Sequence, residues 1–470
     1  MRQLKTKFLF LICILLGTFI KLDLAYSQQK IEHKLIDALL PAWNIESLTS
    51  EEVYVNKSYG RLAGAPDGIG VLQNNDGLIS VFINHEISND HGIIRSHGGR
   101  GAFVSEWQFD LKSKKIISRG DLIKKLMLWD YDQKKFVEAK NGSINRLCSG
   151  DLPHQSAFYD SKSKKGFKDR IFLSGEEDRN GGRAFAHIVS GIDKGTSYEL
   201  PHLGKFSWEN VVAHPKSGKK TIVMGMDDNK DGQVYLYMAE KKSRGNPIER
   251  AGLMNGELFG IEVNENRFKL VELGDVSMLS GSELENLGTE KNIARFKRPE
   301  DGAWDIRNKN IFYFATTDKI DGMSEIFQLT FDDINNPRKG GSIISILNAK
   351  EIGAQMFDNI TVSDNGKILI DEDPGDHEHL ASIWEFDPMA RKATKLFSVR
   401  PEFFQDQSHA NFLTMDEEHS GIIDITHLVT GAPWYKKDER YFLGSLQIHK
   451  KIDDPELVEL GELYLISGPK

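Results

Sequence analysis

The chain has 470 residues, with 69 acids against 60 bases and a formal net charge of −9. No basic footprint for duplex or single-stranded nucleic acid is visible, because runs such as Lys112-Ser113-Lys114-Lys115 are short and read as solvated turns. Beyond the N-terminus no stretch is long and apolar enough to span a bilayer, so a soluble mature protein is expected.

The N-terminus opens with Arg2, Lys5 and Lys7, runs through apolar residues from Phe8 to Ile20, and places Ala25-Tyr26-Ser27 before Gln28. A basic segment, a short apolar segment and small residues at a cleavage site read as a signal peptide over residues 1–27. Its apolar run is too short to stay as an anchor across about 30 Å of hydrocarbon. The mature chain, 28–470, is expected as one exported domain, periplasmic or extracellular and monomeric. Its formal charge falls to about −12 once Arg2, Lys5, Lys7, Lys21 and Asp23 are removed. An acidic protein that handles an anionic substrate needs local cations, and bound metal is their obvious source. Cys13 leaves with the leader, so Cys148 is the only remaining thiol and no intramolecular disulfide is possible. A lone exported cysteine is inert, an intermolecular bridge or a functional thiolate. Its surroundings, Asn145-Arg146-Leu147-Cys148-Ser149-Gly150-Asp151-Leu152-Pro153-His154, are turn-forming and place the thiol on an exposed loop.

Helical periodicity is scarce, and Ile31 to Leu40 carries the best helical pattern. The rest reads as hairpins rich in β-branched and aromatic residues. Arg170 to Leu173 runs into Ser174-Gly175-Glu176-Glu177-Asp178 and returns as Arg183 to Val189. Thr221 to Met224 runs into Asp227-Asp228 and returns as Gln233 to Met238; Ile311 to Phe314 leads to Asp318 and returns as Glu325 to Thr330. Lys367 to Ile370 leads to Asp371-Glu372-Asp373 and returns as Ala381 to Phe386. Each time an apolar strand ends in acids before a turn. Units near 50 residues predict an all-β chain, a β-propeller of five or six blades with inserted loops. A large double-sheet sandwich would show similar hairpins.

Equivalent strand ends converge in a propeller, so the repeated acids would meet in one place. Crowded carboxylates raise each other's pKa unless cations neutralise them. An oxygen-rich site of this kind suits calcium or another hard cation, whereas a thiolate favours a transition metal. The turn reading of any single acidic cluster stands beside this one. So does a polar-loop reading of Asp376-His377-Glu378-His379 against zinc ligation.

The order of motifs then resembles a known family. Arg61-Leu62-Ala63-Gly64-Ala65-Pro66-Asp67-Gly68 precedes Asn84-His85-Glu86, Cys148, Glu176-Glu177, Gly204-Lys205-Phe206-Ser207-Trp208-Glu209-Asn210 and Asp227-Asp228. Arg298-Pro299-Glu300-Asp301-Gly302, Phe357-Asp358-Asn359-Ile360 and Asp416-Glu417-Glu418-His419-Ser420-Gly421 come after these. Over nearly all of the mature chain this series resembles the PhoX alkaline phosphatases. The resemblance implies a propeller with an iron–calcium cluster that hydrolyses small phosphate monoesters. It implies Cys148 as the thiolate bridging the irons, and Glu86, Glu177, Glu209 and Glu300 as ligands. Arg298 takes the place of the arginine that contacts substrate phosphate. Asn84, His85, Glu176, Asp227, Asp228, Asp358 and Asp373 are candidate additional ligands. The leader carries Arg2 without a second arginine, so export is expected unfolded with metal loaded outside; calcium is the first expectation and iron the second. A calcium-dependent lactonase or other ester hydrolase, and a calcium-stabilised binding propeller, are the readings from other classes.

Overall fold

Antiparallel strands dominate the regular structure, and inner ones such as Ile171–Glu176 and Lys220–Asp227 bury both faces against neighbouring sheets. The computed structural model describes residues 35–49, 62–74, 77–179 and 181–470. The signal-peptide residues 1–27 and Arg61 lie outside them. The helix expected over Ile31 to Leu40 is a strand in its described part. Ile36–Ala38 pairs antiparallel with the strand ending at Val399, and Leu35 and Ile36 are buried. Tertiary pairing overrides the local helical pattern there.

The fold is all-β, with sheets of four, six, nine, five and four strands and one small two-stranded hairpin among the described residues. A two-sheet sandwich is therefore not what the chain forms. The nine-stranded sheet curls nearly closed on itself until its end strands touch. Among the described residues the ladder between its two halves consists of Arg267 and Phe268 pairing with Ser342 and Gly341. Six edge strands meet at the middle of the fold: β1 (Pro66–Gln73), β2 (Leu147–Asp151), β3 (Trp208–Ala213), β4 (Pro299–Trp304), β5 (Phe357–Val362) and β6 (Glu417–Asp424). They contact one another in cyclic order, β6 closing against β1.

The apolar cores lie between successive sheets in the same order. Phe82 and Val104 pack with Phe172 and Phe185, and Leu173 and Ala186 pack with Trp208 and Tyr235. Met224 and Leu236 meet Phe312 and Leu329, and Ile326 meets Ile370 and Trp384. Phe397 joins Phe442 and Tyr464, and Leu443 and Leu465 return to Val81 and Trp107. Burial of large side chains at every junction, each contributing about 1.5–3 kcal/mol, welds the sheets together. Near the middle the strands approach so closely that glycine is required. A Cβ on Gly68 of β1 would stand 2.1 Å from the backbone nitrogen of Gly150 in β2, and one on Gly421 of β6 would stand 2.4 Å from the Asp67 carbonyl oxygen. Among the described residues no helix is long and apolar enough to cross a membrane.

Candidate metal centre

All six edge strands repeat one local geometry. Each pairs with the next long strand in sequence (for β2, past the small hairpin Tyr159–Gly166) and carries an irregularity in register just past its start. A residue two positions before a fixed point offers its carbonyl to the residue just beyond the return strand's pairing. The donors are the backbone N–H groups of Glu86, Glu177, Asp228, Thr317, Asp373 and His449. Their acceptors are the carbonyls of Ala65, Arg146, Ser207, Arg298, Met356 and Asp416, at 2.8 to 3.0 Å. The fixed point is the second residue of each edge strand: Asp67, Cys148, Glu209, Glu300, Asp358 and Glu418. Two concentric sets of six side chains result, one on the edge strands and one at the ends of the return strands.

The edge-strand set is buried throughout. Donor atoms of Asp67, Glu86 and Cys148 lie within 4.8 Å of one another, as do those of Glu209, Glu300 and Asp358, and those of Asp358, Asp373 and Glu418. Ligands of one hard cation at about 2.3–2.6 Å stand up to about 5 Å apart, so each triad fits a metal ion. The Cys148 Sγ sits 3.0 Å from Glu209 Oε2 and 3.3 Å from Asp67 Oδ2, and the buried Asp67 Oδ1 has no hydrogen-bond partner among the described residues.

Charge makes the same point. Nine carboxylates, Asp67, Glu86, Glu177, Glu209, Asp228, Glu300, Asp358, Asp373 and Glu418, face three cationic side chains, Arg146, Arg298 and His449. Burial first, and then neighbouring acids, push Asp67, Glu300 and Asp358 well above the usual carboxylate range. Burial pushes Asp373 and Glu177 up as well, and Glu209 up to about 7. The Cys148 thiol is driven up by burial and then by Asp67 and Glu209. His449 resists burial, and the carboxylates of Glu418 and Glu459 push it up to about 12, while Glu418 is lowered in return. A site that disfavours its own ionised form so strongly becomes favourable once cations enter it.

Arg298 donates from Nε and Nη2 to both oxygens of Asp228, at 2.8 and 2.9 Å, and its Nη2 lies 3.2 Å from Glu300 Oε1. Arg146 places Nη2 between Glu86 and Glu177. A cleft of about 450 Å³ opens over the centre, with Glu86, Arg146, Asp373, Glu418, His449 and Lys451 on its walls. Beneath it, Ser149 Oγ donates to Glu209 Oε1 at 2.6 Å and accepts from Asn359 Nδ2 at 2.5 Å. Because β2 and β5 stand opposite in the cyclic order, this pair bridges the middle and floors the site.

Of the residues expected from sequence, Glu86, Cys148, Glu177, Glu209, Asp228, Glu300, Asp358 and Asp373 stand in the two sets, and Arg298 stands beside them. Cys148 is not on an exposed loop: it is the second residue of β2 and 8% exposed. His85, Glu176 and Asp227 each precede a member of the outer set by one residue, and strand alternation turns them to the other face. The fully buried His85 stacks on Phe103, contacts Ser105 Oγ at 2.8 Å and is lowered to about 3 by desolvation. Glu176 is held by Arg183, and Asp227 accepts from Asn229 Nδ2. Asn84 donates to the Cys148 carbonyl oxygen at 2.6 Å and so braces β2 from behind. Asp318 falls one residue past the set, where Thr317 stands, and accepts from the Met323 N–H. His377 is exposed and accepts from the His379 N–H.

Sequence reasoning leaves Asp67, Glu418, His449 and Arg146 unassigned. Aligning the second position of Pro66-Asp67-Gly68, Trp208-Glu209-Asn210, Pro299-Glu300-Asp301, Phe357-Asp358-Asn359 and Glu417-Glu418-His419 would have found the first two. Nothing comparable flags His449.

The chain matches no protein-family model and no curated protein sequence. Among solved structures it resembles Pseudomonas fluorescens PhoX in complex with vanadate, a transition state analogue: TM-score 0.63 at 12% identity, over 92% of this chain and 96% of that one. It also resembles a Dyadobacter fermentans protein of unknown function, with TM-score 0.44 and 7% identity over 92% of this chain and 100% of that one. At these identities the likeness is one of fold, and the fold is shared with a PhoX protein over almost the whole of both chains.

Proposed function

We propose that the chain is an exported, metal-dependent phosphomonoesterase on a six-bladed β-propeller. The cyclic contact of β1 to β6, with a core at each junction, supports the propeller. The observation that carries the function is the convergence of nine carboxylates, six of them buried, and one thiol beneath a cleft lined by Arg146, with Arg298 beside the cluster. The fold likeness to a PhoX protein seen with vanadate points to the phosphoryl group as the substrate centre.

In this reading Asp67, Glu86, Cys148 and Glu177 would hold metal on one side, and Glu300, Asp358, Asp373 and Glu418 on the other. Glu209, which reaches both the thiol and the triad with Glu300 and Asp358, would stand between the sides. The thiol makes the first side suited to a transition metal such as iron, and the all-oxygen side suits calcium. Bound metal would supply Lewis acidity and a water-derived nucleophile. The chain's own residues do the rest. Ser149 holds Glu209 Oε1, leaving Oε2 beside the thiol. Arg298 keeps Asp228 and Glu300 in place and has Nη1 without a protein acceptor among the described residues. The floor built by Ser149 and Asn359 confines approach to the cleft side. A calcium-dependent lactonase or a binding propeller has no use for the thiol.

Elemental analysis of the protein purified from its export compartment, paired with p-nitrophenyl phosphate hydrolysis before and after chelation, tests this. Bound metal, and turnover lost on chelation and regained on adding it back, are expected. Full activity after metal removal, or metal without any phosphatase activity, would overturn it.

A further inference from the structure

The cleft contains an arginine that the motif order does not assign, and its surroundings differ from those of Arg298. Arg146 and Arg298 occupy the same place in the repeat, two residues before Cys148 and Glu300. Both sit in the left-handed region, with φ of 42° and 55°. Ala65 and Met356 share that conformation at the same point of β1 and β5, so it belongs to the frame. What separates the two arginines is commitment. Arg298 spends Nε and Nη2 on Asp228 and Glu300, and its side chain is 27% exposed. Arg146 spends Nη2 alone, on Glu86 and Glu177, is 45% exposed, and lines the cleft, which Arg298 does not. Its Nε and Nη1 have no protein acceptor among the described residues.

The rest of the cleft wall is acidic, with Glu86, Asp373, Asp416, Glu418 and Glu459. Two other cations line it. His449 is engaged by Glu418 and Glu459. Lys451 stands exposed at the end of its strand and offers only a point charge. A dianion entering this cleft therefore meets one planar, doubly donating cation next to the thiol-containing triad.

Resting on the phosphomonoesterase reading, we infer that Arg146 is a second phosphate-anchoring residue, gripping two phosphoryl oxygens from the cleft side. A guanidinium offers two parallel hydrogen bonds to such a group, and lysine cannot reproduce them. Glu86 and Glu177 fix Nη2, so the free edge of the fork is pre-oriented.

Calorimetric titration of inorganic phosphate into the metal-loaded wild type, Arg146→Gln and Arg146→Lys tests the assignment, with metal content and KM for p-nitrophenyl phosphate measured alongside. The Gln variant should bind phosphate about ten- to hundredfold more weakly, the range for losing a hydrogen bond to a charged group, with KM raised in parallel and metal content unchanged. The Lys variant should recover part of the loss. Unchanged phosphate affinity in the Gln variant overturns the proposal, as does metal lost in step with phosphate affinity, which would make Arg146 a structural tie between Glu86 and Glu177. If the Gln variant does not fold, the Lys variant decides: intact metal with affinity down about threefold or more supports the anchor, and any smaller change sinks it. A wild type that binds no phosphate and hydrolyses no monoester would instead refute the phosphomonoesterase reading itself.

Discussion

Replacing Cys148 by serine separates the thiol's part in the fold from its part in metal binding. Burial and the neighbouring acids keep the metal-free thiol protonated, its one S–H placed to donate to Glu209 Oε2 at 3.0 Å or to Asp67 Oδ2 at 3.3 Å. A serine hydroxyl donates to either of the same pair. The metal-free protein therefore exchanges one hydrogen bond for another, a change below about 1 kcal/mol. The loaded protein loses a thiolate ligand that a hydroxyl does not replace. If affinity for the metal at that triad falls about a hundredfold, the stabilisation from binding falls by about 2.7 kcal/mol at saturating metal. Denaturant unfolding of both proteins, with metal and with chelator, gives a four-cornered comparison. The gap between wild type and Cys148→Ser should be about 2–3 kcal/mol with metal and should close below about 1 kcal/mol without it. Equal gaps in both conditions would show that the thiol is a packing residue and that the triad containing it holds no metal.

Stability against pH should change sign with metal. Burial raises Glu209, Asp151 and Glu462 each to about 7, while unfolded carboxylates titrate near about 4. Between those values the metal-free folded chain binds more protons than the unfolded one, so its stability falls as pH rises. Its melting temperature should be higher at pH 5 than at pH 8. In the metal-loaded protein the ligand carboxylates are held ionised, so stability should instead fall as pH drops; thermal melts showing the same slope in both forms would contradict this. At the middle of the fold, Gly68→Ala should cost about 1–3 kcal/mol from the collision with Gly150, whereas Gly120→Ala, which meets nothing within 4 Å, should be near neutral. Equal unfolding midpoints for the two would mean that β1 and β2 have room to part.

The hairpins are legible in the sequence because apolar runs ending in acids and turn residues leave a local trace. Ile171–Glu176 with Ala184–Ile188, Lys220–Asp227 with Val234–Glu240, Ile311–Thr316 with Glu325–Phe331, and Ile368–Glu372 with Ser382–Asp387 all pair as the sequence implies. The number of units is not legible. Return strands run from five residues in Ile368–Glu372 to thirteen in Glu439–Lys451, and the insertion after Cys148 adds its own small hairpin at Tyr159–Asp160. The site shows the same division. Paired acids such as Glu176-Glu177 and Asp227-Asp228 announce a strand end, but which acid of each pair turns inward depends on register. The irregularity past the start of each edge strand sets that register, and it comes from the backbone pairing rather than from composition. Ile36–Ala38 misleads for a related reason, since its partner strand ends at Val399, far beyond any sequence window.

Register also explains how a repeated frame builds an unequal site. The backbone bonds from the outer set to the carbonyl two residues before each edge-strand donor involve no side chain, so all six places hold their geometry whatever residue occupies them. Chemistry is then decided by occupancy alone. The edge strands present Asp, Cys, Glu, Glu, Asp and Glu, and the return strands present Glu, Glu, Asp, Thr, Asp and His. Sulfur enters at one place, opposite Asp358 in the cyclic order. Thr317 is a place without charge, its Oγ1 donating to the Phe357 carbonyl. His449 puts a cation where four of the other return strands put an acid, lowering Glu418 while Asp373 beside it stays raised. The thiol and Arg146 thereby stand on one side, and the triad of Asp358, Asp373 and Glu418 with His449 on the other. On the phosphomonoesterase reading, a substrate dianion settling between them would meet unlike partners at its two ends, and that inequality would favour one orientation over the others.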